Sequence, residues 1–387
     1  MISKPSIGWI GIRRGHRAKL VEWLVERMVF AVSLVAILMV MLIFVFIGRE
    51  ALPVILGQVN SGFAQQPIPV EQMDRMPPKE LQKYLELSPK QYAEMDRETL
   101  QVLMELKIES AQAVSGNPDA GVNSAGWRNL LGPRQWNGYT KPEYIWQPVS
   151  EIPKYNLVPL IIGSLKVTVV ALLFAVPLAL GAALYVSQLA RPRVREVIKP
   201  VIELLAGIPS VVLGFFALIV MASALQRVFG YESRLNALVA GMALGISVIP
   251  VVFSIAEDAF TSVPRSYVQA ALALGASQWK AAWQVVLPGA LPGVFAAVAL
   301  GFGRAIGETM IVLMASGNAS IVSPSLLDST RTITATIAAE LGEVVFGSAH
   351  YRILFLIGVL LFVVTFLTNL TADLVMHRLK HKMEGKH

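Results

Sequence analysis

The chain reads as an all-α membrane protein that crosses the bilayer six times, and three observations lead there. Its mean hydropathy is +0.58. Only 15% of its 387 residues are charged, against about 25% in soluble domains. The charges are also bunched, which leaves residues 28–47, 167–186, 204–225, 235–256 and 353–370 free of Asp, Glu, Lys and Arg. A helix of about 20 residues, rising roughly 1.5 Å per residue, covers the roughly 30 Å hydrocarbon core, so each run is long enough to cross. A sixth apolar stretch, 291–314, has the length but contains Arg304 and Glu308.

Residues 1–27 are basic and precede the first span, 28–47. A cleavable signal peptide also begins basic, but its apolar region is only about 7–15 residues long, and the nearest small-residue site, Gly62-Phe63-Ala64, lies well downstream. An uncleaved anchor helix is expected. Residues 48–157 form a long loop with helical signals: Met76-Pro77-Pro78 opens one short amphipathic stretch through Leu87. Ser88-Pro89 opens another, with Ser88 as N-cap, Pro89 at the first helical position and Gln91 in the capping-box position. Leu100, Leu103 and Leu106 give a helical stripe that packs on its neighbours. The small and polar stretch 114–126 reads as a linker, and Trp127, Trp136 and Trp146 read as headgroup anchors near the re-entry point. Residues 158–374 then form a five-helix core, and 375–387 a basic tail. Pro209 and Pro250 fall inside spans, where a kink is expected.

The charge balance sets the topology. Residues 48–157 hold 11 basic against 13 acidic residues, and the remainder 22 against 13, so the excess that raises the pI to 9.5 lies beside the spans. That is a membrane-orientation pattern and not a nucleic-acid surface. With the N-terminus inside, 16 Lys and Arg flank the spans on the inside. Only Arg227, Arg234, Arg331 and Arg352 occupy the short outside loops. Both termini are therefore expected in the cytoplasm, with 48–157 outside.

Between the fourth and fifth spans, residues 261–288 spell two short helices with a corner. Pro264 suits a helix start, Gly275 a left-handed cap and Ser277 the next N-cap, while Pro288 marks the end. Trp279, Trp283 and Val286 recur at i, i+4 and i+7. Read from the residues alone, this is either an elbow on which a soluble partner pushes or an amphipathic loop lying on the membrane.

The segment resembles the coupling segment shared by permease subunits of bacterial ABC importers. That pattern runs Glu-Ala-Ala, three residues, Gly, nine residues, an aliphatic residue, one residue, then Leu-Pro. Ala270, Ala271, Gly275, Val285, Leu287 and Pro288 meet it. Gln269 stands where the family has Glu, which keeps the size and hydrogen-bonding capacity but removes the charge, and with it any salt bridge to an ATPase there. Residues 206–214 (Ala-Gly-Ile-Pro-Ser-Val-Val-Leu-Gly) are similar to the start of the third span in phosphate-importer permeases. Residues 303–310 (Gly-Arg-Ala-Ile-Gly-Glu-Thr-Met) are similar to their fifth span, and 331–338 fits as well. The resemblance runs from about residue 158 to 375 and is nearest to the C-type of the two phosphate permeases. It implies a complex with a second, different permease subunit, an ATPase dimer that binds the ATP and Mg, and a periplasmic phosphate-binding protein, all at the bacterial inner membrane. This chain itself would hold no cofactor.

Arg304 and Glu308 are the candidate pathway residues. A charge at membrane depth costs about 2.5–3.5 kcal/mol even on the mild insertion scale, so it needs a partner or a polar cavity. Their i, i+4 spacing lets the side chains meet on one helix, either as an internal ion pair that locks packing or with Arg304 turned to a passing oxyanion. In the resembling family this Arg and Glu are associated with transport. Arg331 is a second place for an anion contact or a headgroup contact, and Lys166 is expected to snorkel. Cysteine is absent and only five histidines occur, so disulfides, thiolate chemistry and Cys-ligated zinc are excluded and no metal site is expected. No Gly-x-x-x-x-Gly-Lys-[Ser/Thr] loop is present, so ATP hydrolysis is expected in a separate chain. Two alternatives stay open at this point: the same machine carrying another oxyanion or small solute, and a non-transporting membrane scaffold or sensor.

Overall fold

A computed structural model describes residues 16–61, 70–73, 75–85, 87, 89–115 and 117–383. The chain divides into two units, Met1–Arg49 and Glu50–His387. The first unit holds most of α1 (His16–Ile55), a continuous helix whose charge-free run is 28–47. Its side chains from Trp23 to Phe46 are exposed on every face.

The second unit begins with short helices α2 (Val70–Met73), α3 (Pro78–Tyr84) and α4 (Pro89–Glu94), then α5 (Arg97–Ser115) and α6 (Trp127–Leu131). A two-stranded antiparallel ribbon, β1 (Trp146–Gln147) with β2 (Lys154–Tyr155), pairs Trp146 with Tyr155. The core follows: α7 (Val158–Leu184), α8 (Pro192–Ala206), α9 (Ser210–Phe216), α10 (Ala222–Phe229), α11 (Ala237–Ser262), α12 (Arg265–Ala273), α13 (Gln278–Ala281), α14 (Leu287–Gly289), α15 (Leu291–Gly307), α16 (Met310–Ala315), α17 (Ile333–Glu340) and α18 (Ala349–Met383). Single π-turns extend α7 at Tyr185–Leu189, join α9 to α10 at Ala217–Met221, and follow α13 at Ala282–Val286.

Among the described residues, five helical segments are long and apolar enough to cross a membrane, and counting the bent pair Gln278–Gly289 and Leu291–Gly307 as one span makes six. Small residues bring the core helices together. Ala171, Ala175, Ala179 and Ala183 recur every fourth residue on α7, all fully buried. An added Cβ would fall 2.4 Å from Val170 at Gly241, 2.4 Å from Ala259 at Gly293 and 2.6 Å from Val252 at Gly301. Only glycine permits those approaches among α7, α11 and α15, the usual device where lipid removes the hydrophobic drive between helices.

Several expectations are corrected. The third span does not run on from Leu204: α8 ends at Ala206 and α9 starts at Ser210, with Pro209 extended at the N-cap (φ −58°, ψ 136°). Proline drives the residue before it out of helical geometry, which ends α8 rather than kinking it. Pro250 does lie inside α11, buried. The fifth span is broken as well, because α15 ends at Gly307 and Glu308 is extended (ψ 134°).

The long loop also differs. Its inward stripe is Met104, buried, flanked by half-buried Leu100 and Ile108, packed with Met73, Leu81 and Tyr84, while Leu106 is exposed. Pro89 opens α4 as expected, and Ser88 and the Gly62–Ala64 site lie outside the described residues. The stretch expected as a linker is instead a hydrogen-bonded plug. Asn123 Oδ1 accepts from Ser61 N and from Ser61 Oγ, each at 3.1 Å, and Asn123 Nδ2 donates to the Val59 carbonyl at 2.9 Å. Ser124, fully buried, donates to the Pro153 carbonyl at 2.6 Å. Trp136 and Trp146 are core residues and not headgroup anchors; only Trp127 is exposed, its Nε1 donating to the Ile55 carbonyl at 3.0 Å.

Candidate functional site

The break between α15 and α16 is the chemically loaded point of the core. Interrupting a helix frees backbone N–H and C=O groups, and at membrane depth these must be satisfied or must line a polar cavity. Here Glu308 Oε1 accepts from Thr309 N at 3.2 Å, and the Glu308 carbonyl accepts from Thr334 Oγ1 at 2.8 Å. Arg304 lies in the last turn of α15 and is exposed, Gly307 is exposed, and Glu308 is half-buried.

Arg304 and Glu308 form no ion pair among the described residues, because the extended Glu308 no longer occupies the position that i, i+4 helical geometry would give it. The expected pairing on one helix face is therefore wrong. Arg304 instead stands unneutralised by Glu308 at the end of a helix whose C-terminal dipole favours a cation.

Three sequence stretches singled out above converge on this break. Gly214 of α9 rests on α16, where an added Cβ would lie 3.1 Å from the Met310 carbonyl oxygen and 3.2 Å from Ile311 Cα. Thr334 of α17 reaches the Glu308 carbonyl. Thr332 caps α17 by accepting from Ala335 N, and Ser164 of α7 accepts from Ile333 N at 2.9 Å, so the α17 start is fixed to the second span.

Arg331 is not free for an anion but ion-paired. Its guanidinium lies 2.6 Å from Glu340 Oε1, with only 18% of its side chain exposed. Trp146 Nε1 donates to the same oxygen at 3.1 Å, and His350 Nε2 lies 2.8 Å from Glu340 Oε2. Glu340 thus fastens β1, α17 and α18 together. Lys166 does not snorkel: its ammonium donates to the Ser323 and Ser325 carbonyls at 3.0 and 2.6 Å, pinning the 316–332 loop.

At the opposite end of α11 the elbow takes shape as predicted in outline. Pro264 is the N-cap of α12, Gly275 has φ +87°, and Ser277 caps α13 by accepting from Lys280 N at 3.3 Å. Gln269, Ala270, Gly275 and Pro288 are exposed, while Ala271 and Leu287 are half-buried. Pro288 does not end the element: it lies in α14, and the 72° bend falls at Ala290. Nor do the three apolar residues share a face. Trp279 and Trp283 are exposed, their rings 5.8 Å apart edge to face, whereas Val286 is fully buried. The π-turn at Ala282–Val286 inserts one extra residue into the helical count and rotates Val286 inward.

Sequence reasoning missed Glu257. It is 2% exposed near the end of α11, with Oε1 2.5 Å from Arg195 and Oε2 2.9 Å from Lys199, both on α8. The available signal was an acidic residue just past an apolar run, opposite a basic amphipathic segment.

Apolar spans, a polar break within one of them and an exposed helical elbow define a multi-pass membrane protein. Residues 157–384 match the binding-protein-dependent transport system inner membrane component family, and the chain belongs to it. It is a transport subunit and not an enzyme. A probable ABC transporter permease from Bacillus subtilis, YqgH, is 36% identical over 60% of this chain and 76% of its own. The phosphate transport system permease proteins PstC of Xylella fastidiosa and Mesorhizobium japonicum are 35% and 36% identical, over 61% and 60% of this chain and 78% and 76% of theirs. The inward-facing MetNI methionine ABC transporter overlays with TM-score 0.44 and 17% identity, covering 58% of this chain and 94% of that one.

Proposed function

We propose that the chain is one permease subunit of an ATP-driven importer that carries inorganic phosphate across the inner membrane by alternating access. The observation that carries this reading is the interrupted α15–α16 helix, which leaves an exposed Arg304 and a half-buried Glu308 carboxylate inside a span. Discontinuous helices at membrane depth are a recurrent way of building a solute pathway. The identity to phosphate permeases supports phosphate as the cargo. A guanidinium stays protonated and offers a planar fork of donors to tetrahedral oxyanions. Glu308 limits how tightly Arg304 holds the anion, so that it can be released.

A second, different permease subunit completes the pathway, and a periplasmic phosphate-binding protein delivers the anion. An ATPase dimer, which binds the ATP and Mg, docks on residues 261–288, with both termini on its side of the membrane. ATP binding presses on the elbow and opens the helices outward, and hydrolysis returns them inward. The helical insertion at 60–125 contacts the external binding protein.

ATP-driven phosphate uptake by the reconstituted complex tests the reading. Uptake that is competed by phosphate but not by sulfate or molybdate supports it, and uptake competed by those anions instead overturns the choice of cargo. Arg304→Ala is expected to lower uptake at least about ten-fold in a normally assembled complex. Wild-type uptake in that variant would remove Arg304 from the pathway.

A further inference from the structure

Glu257 has no part in the pathway, yet it is the most heavily bonded buried carboxylate at the elbow end of the core. It lies one turn before α11 ends at Ser262, and α12 follows directly at Arg265. Arg195 and Lys199 are four residues apart on α8, so they face the same way and grip one oxygen each. Thr261 Oγ1 closes the group, 3.3 Å from the Arg195 guanidinium and 3.4 Å from Glu257 Oε1. Beside it, Gln188 Nε2 donates to the Phe260 carbonyl at 3.2 Å. The end of α11 that bears the elbow is therefore tied to α8 and to the π-turn preceding it.

Tight packing of that end did not require charge. A buried ion pair is commonly no more stabilising than apolar residues of the same volume, and its best attested use is to fix one register between elements. The elements joined here form a continuous mechanical line. α8 passes through Gly207-Ile208-Pro209 into α9, and Gly214 of α9 bears directly on the backbone of α16 next to the Glu308 break.

We propose that Glu257 is a positioning residue. It holds α8 to the elbow-bearing end of α11, so that displacement of the elbow is carried through α8 and α9 to the interrupted helix at Glu308. The proposal rests on the reading of this chain as an ATP-driven permease.

The test uses the full complex in proteoliposomes, measuring ATP hydrolysis and phosphate uptake on the same preparation. Glu257→Gln keeps the shape but removes the buried charge that Arg195 and Lys199 share, leaving Lys199 only the weaker influence of Asp258 and Glu203. ATP hydrolysis is expected to stay within about two-fold of wild type while uptake falls about ten-fold, a separation that a merely structural residue would not give. This chain has no cysteine, so a second variant places the only two thiols in it: Arg195→Cys with Thr261→Cys, bridged by a bifunctional thiol reagent, with the reagent-treated wild-type complex as control. Uptake per ATP should be low in the unbridged pair and recover on bridging. An unchanged ratio in Glu257→Gln, or a bridged pair as uncoupled as the unbridged one, overturns the proposal. Should Glu257→Gln fail to assemble, the bridged pair decides alone. A wild-type complex that hydrolyses ATP without moving phosphate would overturn phosphate as the cargo, an outcome distinct from a failure of this proposal, which is read on the variants.

Discussion

Gly163 illustrates how little room this core leaves at single positions. A Cβ there would fall 2.1 Å from the Arg331 carbonyl oxygen and 2.7 Å from Thr330 Oγ1. Gly163→Ala must push aside the backbone that carries Arg331, at a cost of about 1–3 kcal/mol, to be read as a lowered unfolding temperature in detergent. Trp146→Phe keeps an aromatic ring beside Tyr155 and His350 but deletes the donor to Glu340. A loss of about 1–3 kcal/mol is expected for that buried, charge-assisted bond, and unchanged stability would show that Glu340 is satisfied without it. Lys199 carries a sign that can be checked. Its hydrogen bond to Glu257 raises its pKa above the ordinary lysine value, so the stabilisation is complete below that ordinary value, about 10.4, and is lost as pH rises through the folded value. Titration of Lys199 should therefore leave uptake per ATP unaltered between about pH 6 and 9. None of these partnerships shows in the sequence, since Arg195 and Glu257 are 62 residues apart and Trp146 and Glu340 are 194 apart.

Helices were legible where their signals are local. The spans at α1, α7, α11 and α18 announce themselves as apolar runs, and the caps at Gly275 and Ser277 follow from residue type. Gly275→Val should show the value of that local rule. A side chain forced into the left-handed region costs about 1–2 kcal/mol, and the elbow should misfold locally and weaken ATPase association in pull-down of the complex. Breaks and π-turns were not legible. The α15–α16 interruption falls at Gly307-Glu308-Thr309 inside an otherwise apolar stretch with no proline at the break, and it is stabilised by Thr334, which comes from another helix. The turn at Ala282–Val286 likewise has no punctuating Gly or Pro within it, so a regular helical count placed Val286 with the tryptophans.

Taken together, the 387 residues combine a family core with an insertion that builds a small core of its own from Met73, Leu81, Tyr84 and Met104. Deleting residues 62–115 is expected to leave the 158–374 core assembled and to weaken capture by the external binding protein. Full uptake and docking without the segment would exclude that role. Composition and hydropathy runs were enough to fix the class and four of the spans, at α1, α7, α11 and α18, because lipid solvation acts on each segment separately. The elbow was readable for a similar reason: turn and cap chemistry depends on neighbours in sequence. The Glu340 and Glu257 clusters, the Asn123 plug and the meeting of Gly214, Thr334 and Glu308 were decided only in three dimensions. Each depends on long-range packing that brings together polar groups from separate elements, and a buried polar group takes whichever partner that packing supplies.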